Sequence, residues 1–192
     1  LRLPNKWDSV SHWNDIIMWR NHVYSTVINT FKNFHEINPA LHQLGFKDKA
    51  WSVNKLAGVV RKQGLGEVAV QILNKMYGYL RMEVQEAFIK IREQAKAYLS
   101  MPGEVQTGLN LLNTTNLEYF LPGHKAEIFR LKGEFLHRLG DGEQAHNFYL
   151  ASLQLNRNLE KGWPSWGTFC DHRYVESNDP VFLEYAVSCY LQ

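Results

Sequence analysis

The chain has 192 residues, 45% of them hydrophobic, which is enough for one compact domain or a short run of repeats and excludes a disordered segment. Its 21 basic and 19 acidic residues leave a formal charge of +2, so composition supplies no general drive toward nucleic acid or an anionic membrane. No run approaches the roughly 20 apolar residues of a membrane-spanning helix, and two cysteines, Cys170 and Cys189, are too few for a disulfide framework and fit a reducing compartment.

The opening Leu1-Arg2-Leu3-Pro4 has neither an initiator Met nor a signal-peptide pattern, and the chain reads as an excerpt from a longer polypeptide. Val10, Trp13, Ile17, Tyr24, Val27 and Phe31 recur at steps of three, four and seven and predict one long amphipathic helix over 8–33, capped by Asp8 or Ser9. Residues 35–48, with Pro39 and Gly45, read as a loop. A second helix is expected through Val53, Ala57 and Val60, ending near Gly64. A third carries Val68, Ala69, Ile72, Leu73 and Met76. Val84, Phe88, Ile91, Ala95 and Tyr98 mark a fourth, in which Glu86 precedes Lys90 by four, the favourable order for an exposed pair. Pro102-Gly103 ends it, and a short helix follows through Val105, Leu109 and Leu112. Beyond Pro122-Gly123 come helices through Ile128–Leu139 and Ala145–Leu155, split by Gly140-Asp141-Gly142, and then a pair over about Glu160–Asp171 and Val181–Leu191. Asn178 or Asp179 before Pro180 starts the last one. No strand alternation or hairpin signal is present, so the expected class is all-α.

Phe129, Gly133 and Leu136 recur 34 residues later as Trp163, Gly167 and Cys170. A large aromatic, a small residue four on and an apolar residue three beyond form the first-helix pattern of a tetratricopeptide-type repeat. A small residue on the second helix should face the small residue of the first. Gly133 and Ala145 are 12 apart, and so are Ala57 and Ala69. Gly140 and Gly64 each lie seven after the first small residue; Tyr149 and Leu73 each lie four after the second. A middle window keeps the spacing only with Lys96 in a small-residue place, before Gly103 and Gly108. The last window needs seven extra residues, placed in a loop around Tyr174–Pro180, for Ala186 and Tyr190 to match Ala145 and Tyr149. The expected architecture is an α-solenoid of degenerate repeat-like hairpins at about 46–78, 83–113, 124–155 and 159–191, after the long helix 8–33.

Candidate chemistry is sparse. Cys170 and His172 make one loose pair where a zinc site wants four ligands, and Cys170 falls on a repeat core position. The eight histidines show no HExxH spacing, and Gly58, Gly64 and Gly66 do not form a phosphate loop. Asp171-His172-Arg173 is not a kinase catalytic loop, and Ser177 sits in no nucleophile elbow. No catalytic residue, metal ligand or cofactor is therefore expected. Arg61, Lys62, Arg81, Lys90, Arg92 and Lys96 could line a basic strip, but Glu67, Glu83, Glu86 and Glu93 interrupt it and favour a mixed solvated surface over direct nucleic-acid binding. Trp7, Trp13, Trp19 and Trp51 crowd the first quarter of the chain and fit either core packing or a docking surface.

Particular residues carry a resemblance that spacing alone does not. Leu3-Pro-Asn-Lys-Trp-Asp8, Trp13-Asn-Asp-Ile-Ile-Met-Trp-Arg20, Arg61-Lys-Gln-Gly64 and the run from Glu83 to Lys96 resemble the FAT region of the TRRAP family. So do Thr115-Asn-Leu-Glu-Tyr-Phe120, Leu131-Lys-Gly133, Trp166-Gly167 and Ala186-Val-Ser-Cys-Tyr-Leu191, so that the likeness covers nearly the whole chain and is weakest over 32–49. The resemblance implies a non-catalytic scaffold within nuclear histone acetyltransferase complexes of the SAGA type, contacted by their other subunits and by transcription activators. It also implies flanking HEAT-type repeats and a kinase-like domain on the same polypeptide. The alternative it leaves open is the FAT region of an active kinase of the same superfamily.

Overall fold

A computed structural model describes residues 3–31, 39–78 and 82–192, with backbone alone for 39–47 and 77–78. Every regular element among them is helical: α1 Val10–Thr30, α2 Pro39–Lys62, α3 Gly66–Asn74, α4 Val84–Leu99, α5 Val105–Thr114, α6 Pro122–Arg138, α7 Gly142–Leu155, α8 Gly162–Ser177 and α9 Pro180–Tyr190. Short 3₁₀ turns cover Lys75–Gly78 and Pro102–Glu104. Among the described residues the protein is all-α, and within each of two compact units chain-neighbouring helices pack together as in an α-solenoid.

Two compact units divide between Met101 and Pro102, within the segment expected as one hairpin over 83–113. In the first, α1 and α3 pack on α2, and α4 packs on both α2 and α3. Trp13, Ile17, Ala57, Val60, Ala69 and Leu73 are the heart of its core. Ser9 is the cap of α1, accepting from the His12 amide at 3.3 Å, while Asp8 accepts instead from the Asn5 amide at 2.7 Å. The reading of 35–48 as a loop is corrected from residue 39 onward, where α2 begins; residues 35–38 lie outside the described segments, as do 32–33 of the first expected helix. Pro39 occupies a first-turn position, where a missing N–H leaves no helical bond unmade.

In the second unit α6 packs with α7 and α8 with α9, while α7 also contacts α8 and α5 lies against α6. Phe135, Leu131, Tyr149, Phe169 and Cys170 fill the centre. The seven extra residues of the last window are not the loop expected around Tyr174–Pro180. Asn178, at φ 54, stands where Gly140 stands in the preceding pair, 38 residues on rather than 34, and Ala186 follows Ala145 by 41. Four residues therefore lengthen the end of α8 and three the start of α9. Each insertion is close to one turn of 3.6 residues, so both buried faces stay in register. Asp179 caps α9, accepting from the Val181 amide at 3.0 Å.

Candidate functional site

Of the residues singled out by spacing, the alanines, Gly133 and Gly167 lie in helix contacts, while Gly64 and Gly140 lie in turns. Gly64 and Gly140 both adopt φ +85, and each closes its helix with the same two bonds. The Gly64 amide reaches the Arg61 carbonyl and the Leu65 amide the Val60 carbonyl; the Gly140 amide reaches His137 and the Asp141 amide Leu136. This is a Schellman closure, which needs a left-handed residue that glycine supplies without a Cβ clash. Ala57, Ala69 and Ala145 are fully buried. A Cβ on Gly133 would stand 3.1 Å from the Tyr149 ring, and one on Gly167 would stand 3.0 Å from the Tyr190 ring. Trp163 is half-buried, with its indole N–H on the Arg157 carbonyl at 2.8 Å.

Cys170 and Cys189 are buried, and burial pushes their thiols up to about 12 and about 11, far from reactive thiolates. The His172 ring lies edge-on to that of His137, with centroids 5.5 Å apart. Among the described residues no cluster of three His, Cys, Asp or Glu is arranged to hold a metal ion, and no helix is long and apolar enough to cross a membrane.

The basic strip is largely consumed within the fold. Arg61 Nε donates to Glu93 Oε2 at 2.9 Å and Arg92 to Oε1 at 3.3 Å. Burial alone would raise the Glu93 carboxyl; Arg61, Lys96 and Arg92 outweigh it and hold the group below the ordinary carboxylate range. Lys90 is buried, and desolvation brings its ammonium down to about 8. Glu86, expected on the surface, is buried with its carboxylate accepting from Asn54 Nδ2 at 2.7 Å. Arg81 lies outside the described residues.

Helical periodicity did not reveal this polar burial. α4 is enclosed by α2 and α3 on more than one face, so Glu86, Lys90, Glu93 and Gln94 go inside with Phe88 and Ala95. Arg61 and Glu93 lie on stripes of α2 and α4 that meet only in the folded structure. A further buried ion, Arg130, binds Glu127 at 2.8 and 3.1 Å, Glu134 at 3.0 Å and the Ser165 hydroxyl of α8 at 3.2 Å.

The four N-terminal tryptophans differ in burial. Trp13 is core, with its N–H on the Asn5 carbonyl at 2.8 Å, whereas Trp7 and Trp19 are 65% and 61% exposed. Trp51 is half-buried at one end of a groove of about 280 Å³ between α2 and α4. Lys6, Lys55, Lys62 and Arg92 rim this groove; Asn54, Gly58, Glu86 and Glu93 line it.

Helices stacked on chain neighbours within each unit, closed at Gly64 and Gly140 by left-handed turns and tied by buried ion pairs, define an all-helical protein of the α-solenoid class. The sequence profile of the FAT domain matches residues 1–192, and the chain belongs to the FAT domain family. It is 39% identical, over its whole length, to the SAGA complex/NuA4 acetyltransferase complex subunit TRA1 of Saccharomyces cerevisiae, covering 5% of that protein. The Schizosaccharomyces pombe subunit of the same description is 38% identical, with 100% of this chain and 6% of that protein aligned. The Danio rerio transformation/transcription domain-associated protein is 34% identical, with 99% and 5% aligned. The chain thus spans about a twentieth of the length of these relatives.

Proposed function

We propose that this chain is a non-catalytic scaffold segment of a large transcription co-activator subunit. In this reading it helps organise nuclear histone acetyltransferase complexes of the SAGA type and belongs to a polypeptide that transcription activators recruit. The observation that carries the reading is a whole-chain FAT domain match together with 39% identity to a subunit named for two acetyltransferase complexes. The packing supports it: the recurring Ala57, Ala69, Gly133, Ala145 and Gly167 are consumed in helix contact and Gly64 and Gly140 in turns, which gives rigidity and surface rather than chemistry. The hairpin division and the repeat positions Ala57, Gly64, Ala69, Gly133, Gly140, Ala145, Trp163 and Gly167 belong to the same proposal, as do neighbouring HEAT-type repeats and a kinase-like domain on the same polypeptide.

The test is assembly. The full-length protein carrying Gly133→Leu is purified with its complex, and the retained acetyltransferase subunits are quantified by mass spectrometry. The expected result is a marked loss of subunits at normal expression of the variant. A complex of unchanged composition, even when the whole 192-residue segment is excised, would refute the scaffold role.

A further inference from the structure

The extra turns at the end of α8 and the start of α9 change what stands over the beginning of α7. Phe182 lies 41 residues after Asp141, the same interval as Ala186 after Ala145. A place held in α7 by a capping carboxylate is therefore held in α9 by a ring inside the helix. Arg173 of α8 lies over Gly142, where a Cβ would stand 3.0 Å from its guanidinium carbon. Between these elements is a recess of about 270 Å³, lined by Glu143, His146 and Asn147 of α7, Arg173 of α8, and Phe182 and Tyr185 of α9.

Three of these side chains are aromatic, and they hold one another in place. The His146 ring lies edge-on to Phe182, with centroids 6.1 Å apart, and tilted against Tyr185 at 5.4 Å. Tyr185 stacks at 5.6 Å on Trp166, whose indole N–H donates to His146 Nδ1 at 3.3 Å. That bond needs an unprotonated Nδ1, and burial holds the imidazole below its ordinary pKa of 6.5, so the ring is uncharged near neutral pH. The walls are thus preorganised π faces rather than charges.

One cation already uses this surface. The Arg173 guanidinium sits 5.5 Å from the centroid of the Phe182 ring, and its charge is matched by Glu176 at 3.1 Å. Glu143 is exposed and forms no ion pair among the described residues. The recess therefore joins three uncharged rings to one uncommitted carboxylate.

We infer that this recess binds the quaternary ammonium of a trimethylated lysine on a protein partner, with its methyl groups against His146, Phe182 and Tyr185 and its charge toward Glu143. Ring faces attract such a cation through their quadrupoles. Its methyl groups ask for no hydrogen bonds, whereas an unmodified ammonium carries three donors that a ring face leaves unsatisfied. A choline headgroup has the same ammonium but suits the site less well, because its phosphate would share the recess with the Glu143 carboxylate. The inference rests on the interaction role proposed above and names one chemical group that a partner carries.

The test uses the full-length protein in its assembled complex and a short peptide of glycine and serine with one trimethyl-lysine beside a photoreactive leucine. Adducts are mapped by mass spectrometry. Adducts on 142–147 and 182–185 are expected. Their yield should fall roughly tenfold when carbon replaces the ammonium nitrogen, which keeps the shape and removes the charge. Unmodified lysine should lower it similarly, as should Glu143→Lys, a change at an exposed side chain that leaves the fold intact. Tyr185→Ala should abolish the adducts. Adducts that fall elsewhere, or that are undiminished by the uncharged analogue or by unmodified lysine, overturn the site. Displacement by phosphocholine at concentrations where unlabelled peptide does not compete assigns the recess to a choline headgroup and overturns it too. Complex composition is read in the same samples, so the failure of this site and the failure of the scaffold reading are told apart.

Discussion

The ring of Tyr149 lies so close to Gly133 that a Cβ on the glycine would stand 3.1 Å from three of its carbons, and Tyr190 covers Gly167 in the same way. Alanine is the better helix former, by about 1 kcal/mol. At these two positions that advantage is offset by displacement of a packed ring. Gly133→Ala is expected to lower stability, and Gly133→Leu to wedge α6 from α7 at a cost of about 1–3 kcal/mol or more. Gly103→Ala, where nothing lies within 4 Å, is the control and should be near neutral. Chemical denaturation compares the three, and an unchanged midpoint for Gly133→Leu would show that the α6–α7 approach does not depend on this contact.

A different mechanism governs Gly64 and Gly140. A Cβ would meet nothing within 4 Å of either, so the only penalty is the backbone at φ +85. Each alanine substitution should cost about 1–2 kcal/mol, and asparagine less, because it tolerates the left-handed region. Equal losses for alanine and asparagine, measured by thermal unfolding, would point to something other than the Schellman closure.

The sequence made the helix order and the glycine turns readable because those depend on local rules. Gly64 and Gly140 punctuate their helices whatever packs outside. Burial of charge was not readable, because it depends on which helix lies opposite. Glu86 and Lys90 look like an exposed pair within α4 and are enclosed by α2 and α3. Val68 and Val84 show the converse, as apolar residues expected on buried faces that are 39% and 42% exposed. The seven-residue insertion looked like loop because the repeat register fixes only spacing. Its division into one turn on each helix is visible only from the left-handed Asn178. The groove between α2 and α4 was hidden for the same reason: its two stripes lie on helices separated by a third.

Arg130 ties α6 to α8. Its guanidinium forms a two-bond fork with Glu127, also holds Glu134, and reaches Ser165 on the neighbouring helix. Burial opposes its charge, but the carboxylates more than offset this and raise its pKa. Glu127→Ala leaves a largely buried cation with one carboxylate fewer, and the expected loss is about 3–5 kcal/mol. Replacing both ions, Glu127→Leu with Arg130→Met, should cost much less, since a well-packed apolar pair removes the desolvation term. A double-mutant cycle by denaturant unfolding checks this, and additive single and double losses would mean that the pair is not coupled.

Acid should weaken the fold in two steps. His146 is half-buried, with its Nδ1 accepting from the Trp166 indole N–H at 3.3 Å; Glu143, Arg173 and Tyr185 line the same recess. Burial holds its pKa below the ordinary 6.5, and His137 is lowered likewise, by burial first and then by His172, with Arg138 and Arg173 adding to the effect and Glu176 opposing it. As pH falls through about 6.5 the unfolded chain binds protons that the folded chain refuses, so stability that is complete above this value declines below it. Glu93 is also depressed, from the ordinary 4.5, because Arg61, Lys96 and Arg92 overcome the effect of burial. Its contribution is complete above 4.5 and is lost as pH falls toward the lower folded value. Unfolding free energies measured at about pH 7.5, 5.5 and 4 should fall at each step. His146→Asn, which can keep an acceptor for Trp166, should shrink the first decrease, and Glu93→Gln the second. If the first decrease were unchanged by His146→Asn combined with His137→Asn, the imidazoles would not be its source.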